Sequence, residues 1–433
     1  MKTVFNKCNF CNSSLTHEVT DLGMQPLCQD RIKPEDLSKM EPHFPLKVYI
    51  CDKCFLTQVP ESASPEQIYR DYGYYSSFSD TWLDHAKKYV NHAIKEFEIT
   101  KDSLVTEIAS NDGYLLQYFV ENDIPVLGVE PSVGVAQYAI NEKNIRTEIE
   151  FFGVNTAKEL LRKYGKSDLI IGNNVLAHVP DINDFVEGMK IFLKADGVIT
   201  MEFPHLLKLV EENQFDTIYH EHFSYLSFSV VQKIFAKHHL ELFDVDQLST
   251  HGGSIRIYAH HKEDKKRTVQ QSVFNLLEEE DKAGMNELEY YDSFNEKVKE
   301  TKRNILEFLI QAKKEGKRIV GYGAPGKGNT LLNYCGIRSD FLDYTVDRSP
   351  HKQDTFLPGS HIPVYHPKML KSTKPDYVFI LPWNLKSEII SHHKYIFDWG
   401  GKFVVPIPKL HVIDHAYPLN NQYNIVNVSD KYF

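Results

Sequence analysis

The sequence has no apolar run of about 18 residues, so no membrane-spanning helix is expected. It also lacks an excess of positive charge. Lys and Arg number 49 against 59 Asp and Glu, a net charge of −10 with His neutral. A dedicated nucleic-acid binder carries a basic footprint, and this chain has none. Its first residues, MKTVFNKCNFCNSS, contain no apolar stretch of the kind a secretory signal needs, and a cytoplasmic location is expected. Cysteine is scarce, six in 433 residues, and in a reducing compartment a disulfide framework is not expected. What remains, 42% apolar and 25% charged residues, fits a soluble globular protein of two to four domains.

Five of the six cysteines lie in the first 54 residues. Cys8-Asn9-Phe10-Cys11 and Cys51-Asp52-Lys53-Cys54 are two CxxC knuckles, and together they supply four thiolates for a tetrahedral structural zinc site. A closed four-sulfur site leaves no position for water and is not catalytic. A redox CxxC would sit at a strand-to-helix junction of a thioredoxin-like unit, and neither pair does. Cys28 reads as a small buried or loop thiol.

Beyond the cysteines, Ser79 is placed to cap a helix running through Phe97, with Trp82, Ala86, Val90, Ala93 and Phe97 on one face. Short apolar runs then alternate with helical ones: LVTEI (104–108), a helical GYLLQYFVEN, VLGVE (126–130), DLII (168–171) and VITMEF (198–203). This alternation predicts a parallel sheet with helices on its faces. From 261 to 317 the chain is charged and helical and reads as a pair of solvated connector helices. A second alternating stretch has strands at RIVGYG (318–323), DYTVD (343–347), DYVFIL (376–381) and KFVVPI (402–407). The expected fold is therefore α/β: a zinc-binding module (1–66), a Rossmann-like domain (67–260), a helical connector (261–317) and a second Rossmann-like domain (318–433).

The loop Glu107-Ile108-Ala109-Ser110-Asn111-Asp112-Gly113 follows the first strand, and Glu130 ends the second, about 20 residues beyond the loop. An acidic strand end, a small-residue loop and a carboxylate placed for ribose hydroxyls are how class I methyltransferases hold S-adenosylmethionine, so 67–260 is expected to be a methyltransferase domain of that class. Ala109 and Asn111 stand where GxGxxG has glycines, which argues against a pyrophosphate cofactor. Asn173-Asn174, at the end of the third strand, is where the methionine part should lie. Gly321-Tyr322-Gly323-Ala324-Pro325-Gly326 with Asp347 is on paper the better dinucleotide fingerprint, so an NAD-dependent oxidoreductase or epimerase is the rival reading. Against it, Pro325 removes a backbone donor, and Lys327 suits a substrate's diphosphate. A zinc module that only docks partners is a third reading. It leaves unexplained the loop Tyr219-His220-Glu221-His222-Phe223, whose phenol, imidazoles and carboxylate suit general base chemistry. A catalytic metal on the His-Glu-His triplet lacks an evident third ligand.

Taken in order, these segments resemble the sugar C-methyltransferases that act on nucleotide-linked 4-keto-deoxysugars, as in tetronitrose formation. The resemblance spans nearly the whole chain and includes NNVLAHVP (173–180), His251-Gly252-Gly253, SPHKQ (349–353), PGSHIP (358–363) and Trp383-Asn384. It implies methyl transfer to C-3′ through an enolate, with His222 as base and Tyr219, Glu221 and Tyr74 beside it. Tyr75 is the alternative to Tyr74. It implies that S-adenosylmethionine is held by Glu107, Ala109, Asn111, Gly113, Glu130, Pro131, Asn173 and Asn174. It implies further that the sugar nucleotide, dTDP- or GDP-linked, meets Tyr75, His178, Tyr322, Lys327, Asn329, Asp347, Lys352, His361 and Trp383. Ala109, where the family commonly has glycine, and the extra His220 are departures; His220 should point away from His222 if the loop is extended. A monomer is expected.

Overall fold

The structure is a computed structural model that describes residues 7–69, 75–414 and 426–427. It divides into two compact units, each drawn from three stretches of chain: 1–18, 48–207 and 221–290 form the first, and 19–47, 208–220 and 291–433 the second.

The first unit is built on a seven-stranded sheet. Its strands are β1 (Val105–Ile108), β2 (Val126–Val129), β3 (Thr147–Glu148), β4 (Ser167–Asn173), β5 (Leu193–Pro204), β6 (Leu240–Leu248) and β7 (Ser254–His261). Their order is β3-β2-β1-β4-β5-β7-β6. β1 to β5 are parallel and β7 is antiparallel to both its neighbours. The central strands read as continuous apolar runs because helices cover both faces. Alternate residues feed two cores: Ile108, Leu127 and Ile170 one, Val105, Leu169 and Ile171 the other. Cys8, Cys51 and Cys54 belong to the first of these cores. Strand order reverses beside β1, which puts a crevice at the carboxyl ends of β1 and β4.

The second unit carries another doubly wound sheet: β8 (Ile319–Tyr322), β9 (Thr345–Val346), β10 (Thr355–Phe356), β11 (Pro363–Tyr365), β12 (Tyr377–Ile380), β13 (Lys402–Val405), β14 (His411–Ile413) and β15 (Val426–Asn427). The order is β10-β11-β9-β8-β12-β13-β14-β15, with the five strands from β11 to β13 parallel.

The expected helix is present as Asp80–Glu96, and the Ser79 hydroxyl accepts from the Trp82 amide at 3.4 Å. Two expectations need correction. The helix in GYLLQYFVEN is only Leu116–Val120, because the chain spends Gly113 to Leu115 on turns. The charged segment is not a pair of solvated connectors. The helix Gln271–Ala283 buries Val273, Leu276 and Glu280, and Phe294–Lys314 buries a stripe from Phe294 to Ala312. Mixed charge marked only their outer faces. Glu280 is fully buried, accepting from His205 Nε2 at 2.7 Å and from the Ser229 amide at 2.8 Å.

Candidate active site

The cysteine knuckles close as expected. The sulfurs of Cys8, Cys11, Cys51 and Cys54 all lie within 4.8 Å of one another, and the Cys8–Cys54 and Cys11–Cys51 pairs are 3.5 Å apart. A tetrahedron with Zn–S bonds of about 2.3 Å has edges of about 3.8 Å, and sulfurs that all lie within 4.8 Å of one another can close on zinc by small side-chain shifts. Gln58 ties this cluster to the histidine loop. Its side chain donates to Cys8 Sγ at 3.3 Å and accepts from the Asn9 amide at 2.9 Å. Its backbone pairs with Ser224, two residues past His222.

At the carboxyl ends of β1 and β2 the backbone is left-handed at Ala109 (φ 56°), Asn111 (φ 50°) and Gly113 (φ 72°). These are positions where a glycine-rich loop has glycines, and here two are filled by residues that bear a Cβ. Glu130 accepts from the Asn111 amide at 3.0 Å and the Ser132 amide at 2.8 Å. A carboxylate offers about four acceptor positions, so acceptor capacity remains for a ligand. Glu107 is fully buried, and neither oxygen has a hydrogen-bond partner among the described residues; Tyr114 lies beside it without hydrogen-bond geometry. Burial raises its pKa well above the usual carboxylate range. Asp112 Oδ1 and Ser110 Oγ are likewise buried without partners. Two buried acids with open acceptor positions fit a ligand that carries positive charge and hydroxyls, as S-adenosylmethionine does.

Asn173 Nδ2 donates to the Tyr114 hydroxyl at 3.3 Å, and Asn174, at φ 54°, lies 3.0 Å from His251 Nε2. Next to them is a charged cluster that the motifs did not single out. Glu202 on β5 faces Arg256 in register on β7 and is ion-paired with it. It also lies 2.8 Å from His85 Nε2 and accepts from Thr250 Oγ1 at 2.9 Å. Burial would raise the Glu202 pKa, but His85 and Arg256 hold it down at about 2. Trp82 stacks on His85 and Tyr114 at 5.0 and 5.9 Å between ring centroids. A lone Glu within the apolar run VITMEF was the available signal.

The histidine loop divides between the units, with Tyr219 and His220 in the second and Glu221 and His222 in the first. It turns at His220–Glu221 and is not extended there. His222 is buried, its ring edge-on to His178 at 4.5 Å and 84°, with Tyr225 at 5.9 Å. Burial lowers the His178 pKa to about 4, so this ring is neutral near pH 7. Tyr69, another residue the motifs passed over, contacts both His178 and the Glu221 carbonyl. His220 packs edge-on against Phe44 with Nε2 3.3 Å from the Pro45 carbonyl, and burial lowers its pKa. Tyr74 lies outside the described residues. Tyr75 packs edge-on to Phe78 and Tyr138 at 6.0 and 5.8 Å.

In the second unit, Lys327 lies over the Trp383 ring at 4.5 Å and donates to Asn384 at 3.0 Å. Trp383 Nε1 donates to Asp216 at 2.7 Å; burial raises the Asp216 pKa to about 6, against the pull of Lys327. Asn329 donates to the Cys28 carbonyl at 2.6 Å, and Cys28 is buried as expected. Tyr322 meets His393 at 2.9 Å, and His361 meets Glu41 at 3.1 Å. Asp347 accepts from the Ala324 and Ser349 amides, and Lys352 reaches Asp347 at 3.5 Å and the Ala324 carbonyl at 3.1 Å. Among the described residues no helix is long and apolar enough to cross a membrane.

A methyltransferase-type sheet with a cofactor crevice, a four-thiolate cluster and a second doubly wound sheet define the class. Three family models match the chain in sequence: "Putative zinc binding domain" over residues 8–69, "Methyltransferase domain" over 106–199 and "C-methyltransferase C-terminal domain" over 249–408. C-methyltransferase NovU of Streptomyces niveus is 33% identical over 408 residues, 94% of this chain and 97% of that one. The chain belongs to the C-methyltransferase family. Among solved structures, an S-adenosylmethionine-dependent methyltransferase from Clostridium acetobutylicum is 13% identical, covering 41% of this chain and 92% of that one, at a TM-score of 0.35. Magnesium protoporphyrin IX methyltransferase from Synechocystis, with bound SAM, is 15% identical, covering 45% and 88%, at 0.33. Likeness at that level carries no inference about chemistry.

Proposed function

We propose that this enzyme transfers a methyl group from S-adenosylmethionine to C-3′ of a nucleotide-linked 4-keto-deoxysugar. The observation that supports this most is the buried pair His178–His222, in a unit whose first crevice suits S-adenosylmethionine. A ketone at C-4′ acidifies the C-3′ hydrogen. His222 takes that proton, and the C–H electron pair becomes an enolate whose charge rests on the C-4′ oxygen. Tyr219 and the tyrosine at 74 or 75 donate hydrogen bonds to that oxygen, and Glu221 lies beside the base. When bound, S-adenosylmethionine supplies the sulfonium methyl. C-3′ then bonds the methyl carbon as the S–CH3 bond breaks, and the chain's remaining task is orientation. Glu130 accepts from the ribose hydroxyls, while Asn173, Asn174 and Pro131 shape the cofactor cleft. Lys327, Asn329, Trp383 and the loop around Tyr322 hold the sugar nucleotide, with Lys352 and His361 at its edge.

The test is proton exchange. With S-adenosylhomocysteine in place of S-adenosylmethionine, in deuterated water, the wild type should place deuterium at C-3′ of its substrate. His222→Ala should lose exchange and turnover by about 100-fold or more. Exchange at the wild-type rate in that variant would remove His222 as the base. Incubation with S-adenosylmethionine and a panel of dTDP- and GDP-linked 4-keto-6-deoxysugars, read by mass, identifies the substrate from the gain of one methyl.

A further inference from the structure

Tyr69 stands where the cofactor strand and the histidine loop meet within the first unit. Its backbone carbonyl accepts from Ser132 Oγ at 3.2 Å, and Ser132 in turn donates its amide to Glu130. Its hydroxyl lies 2.9 Å from His178 Nδ1 and 3.1 Å from the Glu221 carbonyl. Its ring is edge-on to His178 and to Phe151.

The His178 ring is also hydrogen-bonded to the Glu221 carbonyl, so the phenol and the imidazole share that acceptor. A carbonyl oxygen can only accept, so the single phenolic proton goes to Glu221. The contact with His178 then has one possible donor, the imidazole Nδ1–H. Burial holds His178 neutral, so its one N–H is at Nδ1 and Nε2 is the accepting nitrogen. We infer that Tyr69 is a positioning residue, fixing His178 as its Nδ1–H tautomer against His222 and tethering the histidine loop at Glu221. His178 packs edge-on against His222, so a phenol that fixes the His178 ring and the Glu221 backbone also restricts how the His222 ring can sit.

This rests on the reading of His222 as base, and the experiment separates the two. Full-length protein carrying 15N-histidine is examined by long-range 1H–15N correlation near pH 7. Wild-type His178 should show the Nδ1–H pattern. Tyr69→Phe keeps the ring contacts but loses the hydroxyl, and should move His178 toward the Nε2–H form. The same variant should slow C-3′ deuterium exchange by about 10- to 100-fold, the usual effect of losing the bond that orients a working histidine. Its S-adenosylmethionine KM should stay within about twofold. In the His178→Asn background, Tyr69→Phe should cost less than it does in the wild type, because only the tether at Glu221 is left to lose. An unchanged tautomer, or additive losses in the double variant, overturns the role of Tyr69. Wild-type exchange in His222→Ala overturns the base assignment instead, and leaves the tautomer result standing.

Discussion

Each parallel sheet of this chain ends its second strand in a carboxylate, and the two carboxylates are bonded alike. Glu130 takes one amide from the loop after β1 and one from two residues on; Asp347 takes one amide from the loop after β8, at 2.8 Å, and one from two residues on, at 2.9 Å. The doubly wound fold has produced the same tip twice. The difference lies in what else reaches the tip. Lys352 reaches Asp347 and also holds the loop carbonyl of Ala324, so acceptor capacity is spent inside the protein. Around Glu130, the buried oxygens of Glu107 and Asp112 Oδ1 meet no partner among the described residues. Acceptors kept open in a buried crevice are costly unless a ligand fills them. The better written fingerprint therefore belongs to the sheet with the more occupied tip, and Pro325, with no N–H to offer, points the same way.

The largest test of this contrast is the metal. Among the described residues, only the first unit has a four-thiolate cluster. Cys51→Ser should lose about one zinc per chain by elemental analysis, because a four-sulfur site needs all its ligands. The unfolding transition of the first unit should weaken by several kcal/mol, given the roughly 10–16 kcal/mol that structural zinc binding contributes in small fingers. Exchange at C-3′ should also fall, since Gln58 links the cluster to Ser224. A metal-free protein of native stability removes the zinc.

Second in size is a pair of opposite pH responses. Glu202, in the first unit, is held down at about 2. Its stabilisation is present above its unfolded pKa, near 4.5, and is lost as pH falls toward 2. Asp216, in the second, is raised to about 6 by burial. Its carboxyl favours folding while protonated, and that contribution is lost as pH rises from about 3.8 to 6. Either shift is on the order of 3 kcal/mol. Urea unfolding across pH 3–7 should show a shallower acid limb in Glu202→Gln and a lost decline in Asp216→Asn. Parallel slopes in all three proteins would mean that both carboxyls titrate normally.

Third, Glu130→Ala should weaken S-adenosylmethionine binding by about 1.5–3 kcal/mol, the range for a hydrogen bond to a charged group, while Asp347→Ala leaves it unchanged. Calorimetry giving the reverse pattern places a cofactor in the second sheet.

Much of this was legible in the sequence because it is local. CxxC spacing, the Ser79 cap, the alternation of apolar runs and the tip carboxylates each depend on a few consecutive residues. What was not legible depends on partners far along the chain. Tyr69 meets His178 across 109 positions, and Arg256 meets Glu202 across 54. The 261–317 segment misled for a related reason: its charges are consecutive, but the stripe that packs is spaced by helical turns.

The smallest prediction returns to the first loop. Ala109 holds φ 56°, a left-handed conformation that costs a residue with a Cβ roughly 1–2 kcal/mol. Glycine would remove that strain but adds about 0.5–1 kcal/mol of unfolded-state entropy to be lost on folding. The two partly cancel, so Ala109→Gly should raise stability by at most about 1.5 kcal/mol. S-adenosylmethionine affinity should be unchanged, because the loop keeps its path. The second loop admits no such exchange in reverse. Gly323 holds φ +89°, and a Cβ there would stand 2.5 Å from Pro382 Cδ. Alanine in the first loop is thus a tolerated strain, whereas glycine in the second is a steric requirement. Thermal melts of Ala109→Gly that fall below wild type would show that the methyl group packs well enough to outweigh its backbone.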